Sequence, residues 1–200
     1  MLLVGLTGGI ASGKNSIARI LEEFGARIID ADIICRELVE KGKPAWQEIV
    51  HFFGNDILLE DGTLDRKKLG RIVFEDAGKR EVLNSIIHPK VIDEELRLAR
   101  LMEKEDPHAL VVVNAALLIE SGNHKNADKI IVVGANENQI IDRIIKRDGI
   151  TRKEAKLRMA SQLPFREKIK HAHYVIENNG TFEALRKNVE QVYKDLARLL

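Results

Sequence analysis

The chain has 200 residues, of which 44% are hydrophobic and 32% are charged, and its formal net charge is +1. The near-neutral charge argues against bulk nucleic-acid binding, and the lack of a long apolar run argues against a membrane span or a signal peptide. Cys35 is the single cysteine, which excludes an internal disulfide and fits a cytoplasmic protein, here expected to be a monomer or a weak homo-oligomer.

The chain alternates between runs typical of strands and runs typical of helices. Short β-branched and aliphatic runs predict strands at residues 2–6, 27–29, 109–113, 129–133 and 174–176. Helical periodicity predicts helices at residues 17–24, 33–40, 79–84, 91–104, 137–147, 152–161 and 182–199. This alternation indicates one α/β domain whose parallel sheet is covered by helices and binds ligands at the carboxyl ends of its strands.

The first predicted strand ends in a glycine-rich turn that opens the first helix. The turn reads G-x-x-x-x-G-K from Gly8 to Lys14. Glycines let successive backbone N–H groups point inward, and the helix N-terminus adds about half a positive charge. Lys14 supplies a cation that can follow phosphate oxygens. The turn therefore predicts a phosphate-binding loop, and a tight strand–helix turn that binds nothing is the alternative.

The position after Lys14 is unusual for such a loop. A Ser or Thr hydroxyl ordinarily ligates Mg²⁺ there, whereas this chain has Asn15, with Ser16 one residue later. An amide oxygen also suits a hard cation but lies about one bond further out. We expect phosphate oxygens and water to hold most of the Mg²⁺ coordination, with Asp32 nearby and Asn15 contacting the ion through water at most.

Two carboxylates, Asp30 and Asp32, follow the second predicted strand. At a strand end where the chain turns, both can reach one crevice, hold Mg²⁺ through water or accept the proton of an attacking hydroxyl. The alternative is that one of them caps the next helix. We assign Asp30 mainly to capping or orienting and Asp32 to chemistry.

A cationic helix follows the fourth strand. Gln139, Arg143 and Arg147 recur every four residues and therefore share one helix face. Cations on a mobile two-helix segment would close over a polyphosphate and stabilise charge during transfer. A solvated, salt-bridged helix is the alternative, which we favour for Lys146 and Arg147 but not for Arg143. Further side chains of this kind follow: Arg158, Gln162, Arg166 and Lys168.

Other segments allow both a structural and a functional interpretation. Pro89 is expected to end a helix and to push His88 toward an extended conformation, with His88 either structural or a contact for a substrate phosphate. Asn178 lies in a turn after the last strand, where turn chemistry explains it but an adenine contact is also possible. A small core of an inserted subdomain is expected from three aromatic residues: Trp46, Phe52 and Phe53.

Taken in order, these motifs resemble those of the dephospho-CoA kinase family. The resemblance implies a P-loop NTPase-like parallel sheet with a helical substrate-binding insertion and a helical lid. It also implies ATP and Mg²⁺ as cofactors and phosphorylation of the ribose 3′-hydroxyl of dephospho-CoA, which gives coenzyme A and ADP. Nearly the whole chain is covered, at residues 4–10, 12–14, 29–32, 53–54, 61–62, 65–66, 73–74, 88–89, 117–120, 139–148, 162 and 175–180.

The resemblance divides the chain into three parts and assigns residues to roles. Residues 1–31, 106–136 and 171–200 form the nucleotide-binding core, residues 32–105 the helical region for the CoA substrate, and residues 137–170 the lid. Catalysis is assigned to Asp32 as base with Lys14 and Arg143, and substrate binding to Asp32, His88, Leu117 and Glu120. Arg143 and Asn178 also contact ATP, whose phosphates are cradled by Thr7, Gly8, Gly9, Ile10, Ala11, Ser12, Gly13, Lys14, Asn15 and Ser16.

Three features depart from the family's pattern. Ala11 stands where a glycine is usual and adds a methyl group to a tight loop, and Asn15 replaces a Ser or Thr. Asn114-Ala115-Ala116 stands where many members read Asp-x-Pro. These departures bear on the metal site and leave the fold assignment unchanged.

Other function classes make different demands on the sequence. A GTP-dependent switch protein would need a guanine-reading Asn-Lys-x-Asp, which this chain lacks. A catalytically weak nucleotide-binding module is suggested by Asn15, and ADP production with dephospho-CoA would separate it from an enzyme. Among kinases, a nucleoside or nucleotide kinase is the nearest alternative, and a comparison of acceptors would distinguish it.

Overall fold

The computed structural model describes all 200 residues, which divide into two compact units. The sheet unit comprises Met1–Asp30 and Leu98–Leu200, and the helical unit comprises Ala31–Arg97. The helical unit is continuous in sequence and is inserted between the second and third strands of the sheet unit.

The sheet unit is built on five parallel strands in the order β2-β3-β1-β4-β5. They are β1 (Leu2–Gly8), β2 (Arg27–Asp30), β3 (Leu110–Asn114), β4 (Lys129–Gly134) and β5 (Tyr174–Glu177). The central strand β1 is buried along its whole length, as its apolar sequence predicts. The predicted parallel sheet and all five predicted strands are confirmed.

The helices are α1 (Lys14–Glu23), α2 (Ala31–Leu38), α3 (Pro44–Phe53), α4 (Arg66–Glu75), α5 (Ala77–Glu105), α6 (Glu137–Asp148), α7 (Arg152–Ala160), α8 (Phe165–Lys168) and α9 (Phe182–Ala197). The predictions matching α1, α2, α6, α7 and α9 are confirmed with boundary shifts of a few residues. None of these helices combines the length and the apolar character that a membrane span requires.

Each unit has its own hydrophobic core. In the sheet unit, β1, β3 and β4 pack against one face of α1 and of α9, through buried residues that include Leu6, Ile20, Val112, Ile131 and Val189. In the helical unit, Ile49 and Leu69 lie in a smaller core on which Trp46 and Phe53 pack. The predicted aromatic core of the insertion is thus confirmed for these two aromatic residues, whereas Phe52 is 50% exposed.

The predicted helix break at Pro89 is wrong, because α5 runs through Pro89 without interruption. His88 is therefore helical rather than extended. Ile86 and Ile87, in the turn before the proline, pack on the core of the helical unit, and the Lys90 ammonium donates to the Ile86 carbonyl at 3.1 Å. This packing offsets the single helical hydrogen bond that a proline removes.

Replacing Pro89 with alanine is expected to stabilise the protein. Pro89 is exposed, so the substitution loses no core contact, and it restores an N–H that can bond to the preceding turn. The free energy of unfolding should rise by about 1–3 kcal/mol, measured by urea denaturation. The matched control Glu81→Ala, at an exposed position of the same helix, should change it by less than about 0.5 kcal/mol. An unchanged or lower urea midpoint for Pro89→Ala would contradict this explanation of α5.

Candidate active site

The turn between β1 and α1 is closely packed at both of its defining glycines. A Cβ at Gly13, whose φ is +95°, would lie 2.0 Å from the Asn178 side-chain nitrogen. A Cβ at Gly8 would lie 2.6 Å from the Val133 carbonyl oxygen. Close approach therefore requires a glycine at both positions, and at Gly13 the positive φ requires one as well.

Ala11 is the one non-glycine residue of the chain with a positive φ, at +56°. The left-handed conformation costs an L-residue roughly 1 kcal/mol or more, whereas glycine adopts it without steric cost. At this departure from the expected glycine, Ala11 therefore carries backbone strain that a glycine would not.

The Lys14 side chain is held by Asn114, the last residue of β3. Lys14 is 7% exposed, and its ammonium donates to Asn114 Oδ1 at 2.5 Å. The amide nitrogen of Asn114 in turn donates to Asp30 Oδ2 at 2.8 Å. Since both ends of the amide are used, Asn114 fixes the position of the lysine relative to the ends of β2 and β3.

Asn114 contacts three residues of the candidate site, although the sequence motifs mark it only as a departure from the family's pattern. The sequence does carry a signal for this position, because Asn114 is the one polar residue of the strand Leu110–Asn114 and ends it. The carboxyl ends of parallel strands line ligand crevices, so a polar residue there indicates a site residue. Asp30, expected to cap or to orient, contacts Asn114 through its carboxylate. This contact supports an orienting function for Asp30.

The residues after Lys14 do not form a metal-binding cage. Asn15 Oδ1 accepts hydrogen bonds from Asn114 Nδ2 at 3.2 Å and from the Lys14 ammonium at 3.4 Å. An oxygen that already faces an N–H donor and a cation is poorly placed to ligate a second cation directly. The structure also has no group of three or more His, Cys, Asp or Glu residues that could hold a metal ion.

Arg143 of α6 contacts the backbone of the loop and of the turn after β5. One guanidinium nitrogen donates to the Ala11 carbonyl at 3.3 Å, and another donates to the Asn178 carbonyl at 3.1 Å. On the same helix, Ile140 and Ile144 lie in a cluster on which the loop residues Ile10 and Ala11 pack. The apolar face of α6 therefore places the arginine at the loop.

The neighbouring arginines differ from Arg143 in their partners. Arg147 and Arg158 both pair with Asp148, at 2.7 and 2.5 Å. The hydrogen bond from Arg147, together with the charges of both arginines, holds the pKa of the Asp148 carboxyl below its usual range. This arrangement agrees with the salt-bridged interpretation of Arg147.

Two amide side chains complete the support of the loop. The side-chain amide of Asn178 donates to the Ser12 carbonyl at 2.9 Å. Asn178, for which an adenine contact is predicted, therefore also supports the loop. Gln162 accepts a hydrogen bond from the Ile10 backbone N–H at 2.8 Å. Gln162 and the loop residues Ile10 and Ser12 line a cavity of about 100 Å³.

The expectation that Lys168 is a cation closing over a polyphosphate is wrong. Lys168 is fully buried, and its ammonium lies 2.8 Å from both the Ala116 carbonyl oxygen and Glu120 Oε1. Burial lowers the pKa of Lys168, while the Glu120 carboxylate opposes this shift. The sequence pattern shows that a lysine is present but not whether its side chain is buried. The burial of Lys168 therefore could not be predicted from the pattern alone.

The remaining predicted site residues lie in different parts of the chain. Asp32, in the first turn of α2, is exposed, and His88 is half-buried within α5; both belong to the helical unit. Leu117 and Glu120 follow β3 in the sheet unit, where Glu120 accepts hydrogen bonds from Lys168 and from the Leu163 backbone N–H.

Comparison with known proteins places this site in a family. The family model for dephospho-CoA kinase matches residues 2–184. The chain therefore belongs to the dephospho-CoA kinase family. Dephospho-CoA kinase from Geobacter sulfurreducens is 46% identical over 194 residues, covering 96% of this chain and 98% of the relative. The corresponding protein from Bacillus anthracis is 43% identical over 193 residues, covering 96% of each chain.

Solved structures agree with this family assignment. Dephospho-CoA kinase from Campylobacter jejuni has a TM-score of 0.71 at 28% identity, covering 98% of this chain and 97% of its own. Shikimate kinase from Acinetobacter baumannii, in complex with shikimate, has a TM-score of 0.55 at 17% identity, covering 99% of this chain and 94% of its own. The second likeness shows only that the fold is shared with another kinase.

In this family member, Arg143→Ala is expected to lower kcat more than it weakens ATP binding. The variant removes charge-stabilising donors at the loop, and loss of one such donor typically costs roughly 10²–10³ in kcat. Arg143→Lys should restore only part of the rate, because a lysine keeps the charge without the planar fork. Steady-state kinetics with a separate ATP titration measure both quantities. The matched control Lys146→Ala removes an exposed cation of the same helix and should leave kcat nearly unchanged. If Arg143→Ala also leaves kcat unchanged, Arg143 has only a structural function.

Proposed function

We propose that this chain transfers the γ-phosphoryl group of ATP to the ribose 3′-hydroxyl of dephospho-CoA, giving coenzyme A and ADP in the final step of coenzyme A biosynthesis. The observation that carries the proposal is the glycine-defined loop with its buried lysine, in a chain that the dephospho-CoA kinase family model matches over residues 2–184.

The loop supplies the groups that a triphosphate requires. The start of α1 directs its free N–H groups and its partial positive charge toward the loop. The Ser12 hydroxyl is buried without a hydrogen-bond partner in the protein, so it can bond to a phosphate oxygen. Lys14, positioned by Asn114, provides a cation for the β- and γ-phosphates, and Arg143 stabilises negative charge as the phosphoryl group moves.

Asp32 accepts the proton in this mechanism. The 3′-oxygen attacks the γ-phosphorus, the bond from that phosphorus to the β–γ bridging oxygen breaks, and ADP leaves. The proton of the attacking hydroxyl passes to the Asp32 carboxylate. Asp32 follows β2 by two residues in the sequence, and it is exposed, so its carboxylate is accessible to a substrate.

In this proposal Mg²⁺ would be held by the oxygens of ATP and by water rather than directly by the side chain of Asn15. The hydrogen bonds that Asn15 Oδ1 already accepts from Asn114 and Lys14 support this assignment. Asn15 would contact the ion through water at most. The ion would neutralise charge on the phosphates, while the chain's own residues orient the loop and receive the proton.

We assign the helical insertion, residues 32–105, to binding of the CoA substrate. Residues 137–170 are the proposed lid, and the proposed nucleotide-binding core comprises residues 1–31, 106–136 and 171–200. The compactness of Ala31–Arg97 as a unit with its own core supports a separate function for the insertion. His88 and Leu117 remain proposed substrate contacts.

The single Cys35 supports a cytoplasmic location, and we propose a monomer or a weak homo-oligomer.

The base assignment predicts that Asp32→Asn lowers kcat by roughly 10²–10⁴, the usual range for removal of a general base. The affinity for ATP should change little, since the amide keeps the size of the side chain. Steady-state kinetics and a direct ATP titration test both expectations. Glu37→Gln, at an exposed position of the same helix, is the matched control and should retain the wild-type kcat. A kcat near the wild-type value for Asp32→Asn would remove Asp32 from this role.

The activity itself is tested by measuring ADP release with several acceptors. With ATP and dephospho-CoA the enzyme should turn over, and the product should carry its new phosphate on the ribose 3′-oxygen, as phosphorus NMR can establish. Adenosine, AMP and shikimate should support much slower release. Equal or faster release with one of these acceptors would overturn the proposed substrate.

A further inference from the structure

The segment 162–168, which ends with α8, is attached to two other parts of the sheet unit, namely the loop and the turn after β3. At its start, Gln162 accepts a hydrogen bond from the Ile10 N–H of the loop. The next residue, Leu163, donates its N–H to Glu120 Oε1 at 3.0 Å. At the end of α8, Lys168 donates to the Ala116 carbonyl and to the Glu120 carboxylate.

The ion pair at the centre of these contacts is unusual because Lys168 is 0% exposed. A buried ammonium loses its hydration and is tolerated only where hydrogen bonds and a counter-charge replace that hydration. The Ala116 carbonyl and Glu120 provide both. Because any displacement would leave a buried charge without partners, the pair strongly favours one position of the segment.

Further contacts connect this anchor to the strands that carry the loop. The Ala116 carbonyl also accepts a hydrogen bond from the Thr7 hydroxyl at 3.1 Å, near the end of β1. The Phe165 ring lies against Gly134 at the end of β4, where a Cβ would be 2.5 Å from it. The backbone that carries Gln162 is thus fixed by residues outside α6 and α7.

We propose that Lys168 and Glu120 are positioning residues that hold Gln162 against the Ile10 N–H and so keep the phosphate loop in the shape that receives ATP. The proposal rests on the proposed function in one respect, namely that ATP binds at this loop. Glu120 then acts on the loop through Leu163 and Gln162, and the segment 162–168 is the fixed base of the lid.

The test is a double-mutant cycle that measures the dissociation constant for Mg-ATP by calorimetry, well below the melting temperature of each variant. Gln162→Ala and Lys168→Met should each weaken binding by roughly three- to ten-fold through lost preorganisation. The double variant should have a dissociation constant no higher than that of the single variant that binds Mg-ATP more weakly. This is expected because both substitutions act through one contact. Lys170→Met, which removes an exposed lysine paired with Glu167, is the control and should bind as the wild type does.

Each outcome decides a different question. Wild-type affinity in Gln162→Ala, wild-type affinity in a folded Lys168→Met, or additive effects in the double variant would overturn the proposal, since a purely structural ion pair changes stability alone. If Lys168→Met does not fold, the apolar pair Glu120→Leu with Lys168→Met replaces it in the cycle with the same expectation. Failure of the wild type to bind Mg-ATP would instead overturn the proposed function.

Discussion

The site depends on one steric constraint, the close approach of the Asn178 amide to the backbone at Gly13. A side chain at Gly13 would overlap the amide nitrogen, at a Cβ separation of 2.0 Å. The same amide donates to the Ser12 carbonyl, and the Asn178 backbone carbonyl accepts from Arg143. The loop and the turn after β5 therefore meet closely because no side chain projects from Gly13, and Arg143 of α6 bonds to both of them.

The two buried lysines of the sheet unit, Lys14 and Lys168, differ in their hydrogen-bond partners. Lys14 is bonded to a neutral amide, and the carboxylate of Asp30 is bonded to the other end of that amide. An uncharged amide positions the Lys14 ammonium at the loop without itself adding a counter-charge. Lys168 is paired directly with the Glu120 carboxylate. Two buried lysines of the same unit thus perform different tasks, one facing the ligand loop and the other anchoring the segment that braces it.

Strand positions could be predicted closely, because a continuous apolar run buried in a parallel sheet leaves a local signature. The break at Pro89 was wrong because packing of Ile86 and Ile87 outweighs a local preference. Helix α4 was missed although Asp65, which accepts from the Lys67 and Lys68 N–H groups, is a recognisable N-cap. The contacts of Asn114, Gln162 and Lys168 join residues far apart in the sequence, and periodicity carries no information about such pairs.

The most direct test of the loop as the ATP site compares Mg-ATP binding by Gly13→Ala and by Gly70→Ala. Gly70 lies in α4, where an added Cβ would be 3.9 Å from the nearest side-chain atom, so this control should bind ATP as the wild type does. Gly13→Ala, shown to be folded by circular dichroism, should bind at least roughly 100-fold more weakly, because the methyl group forces apart the loop and Asn178. Wild-type affinity in a folded Gly13→Ala would contradict the account.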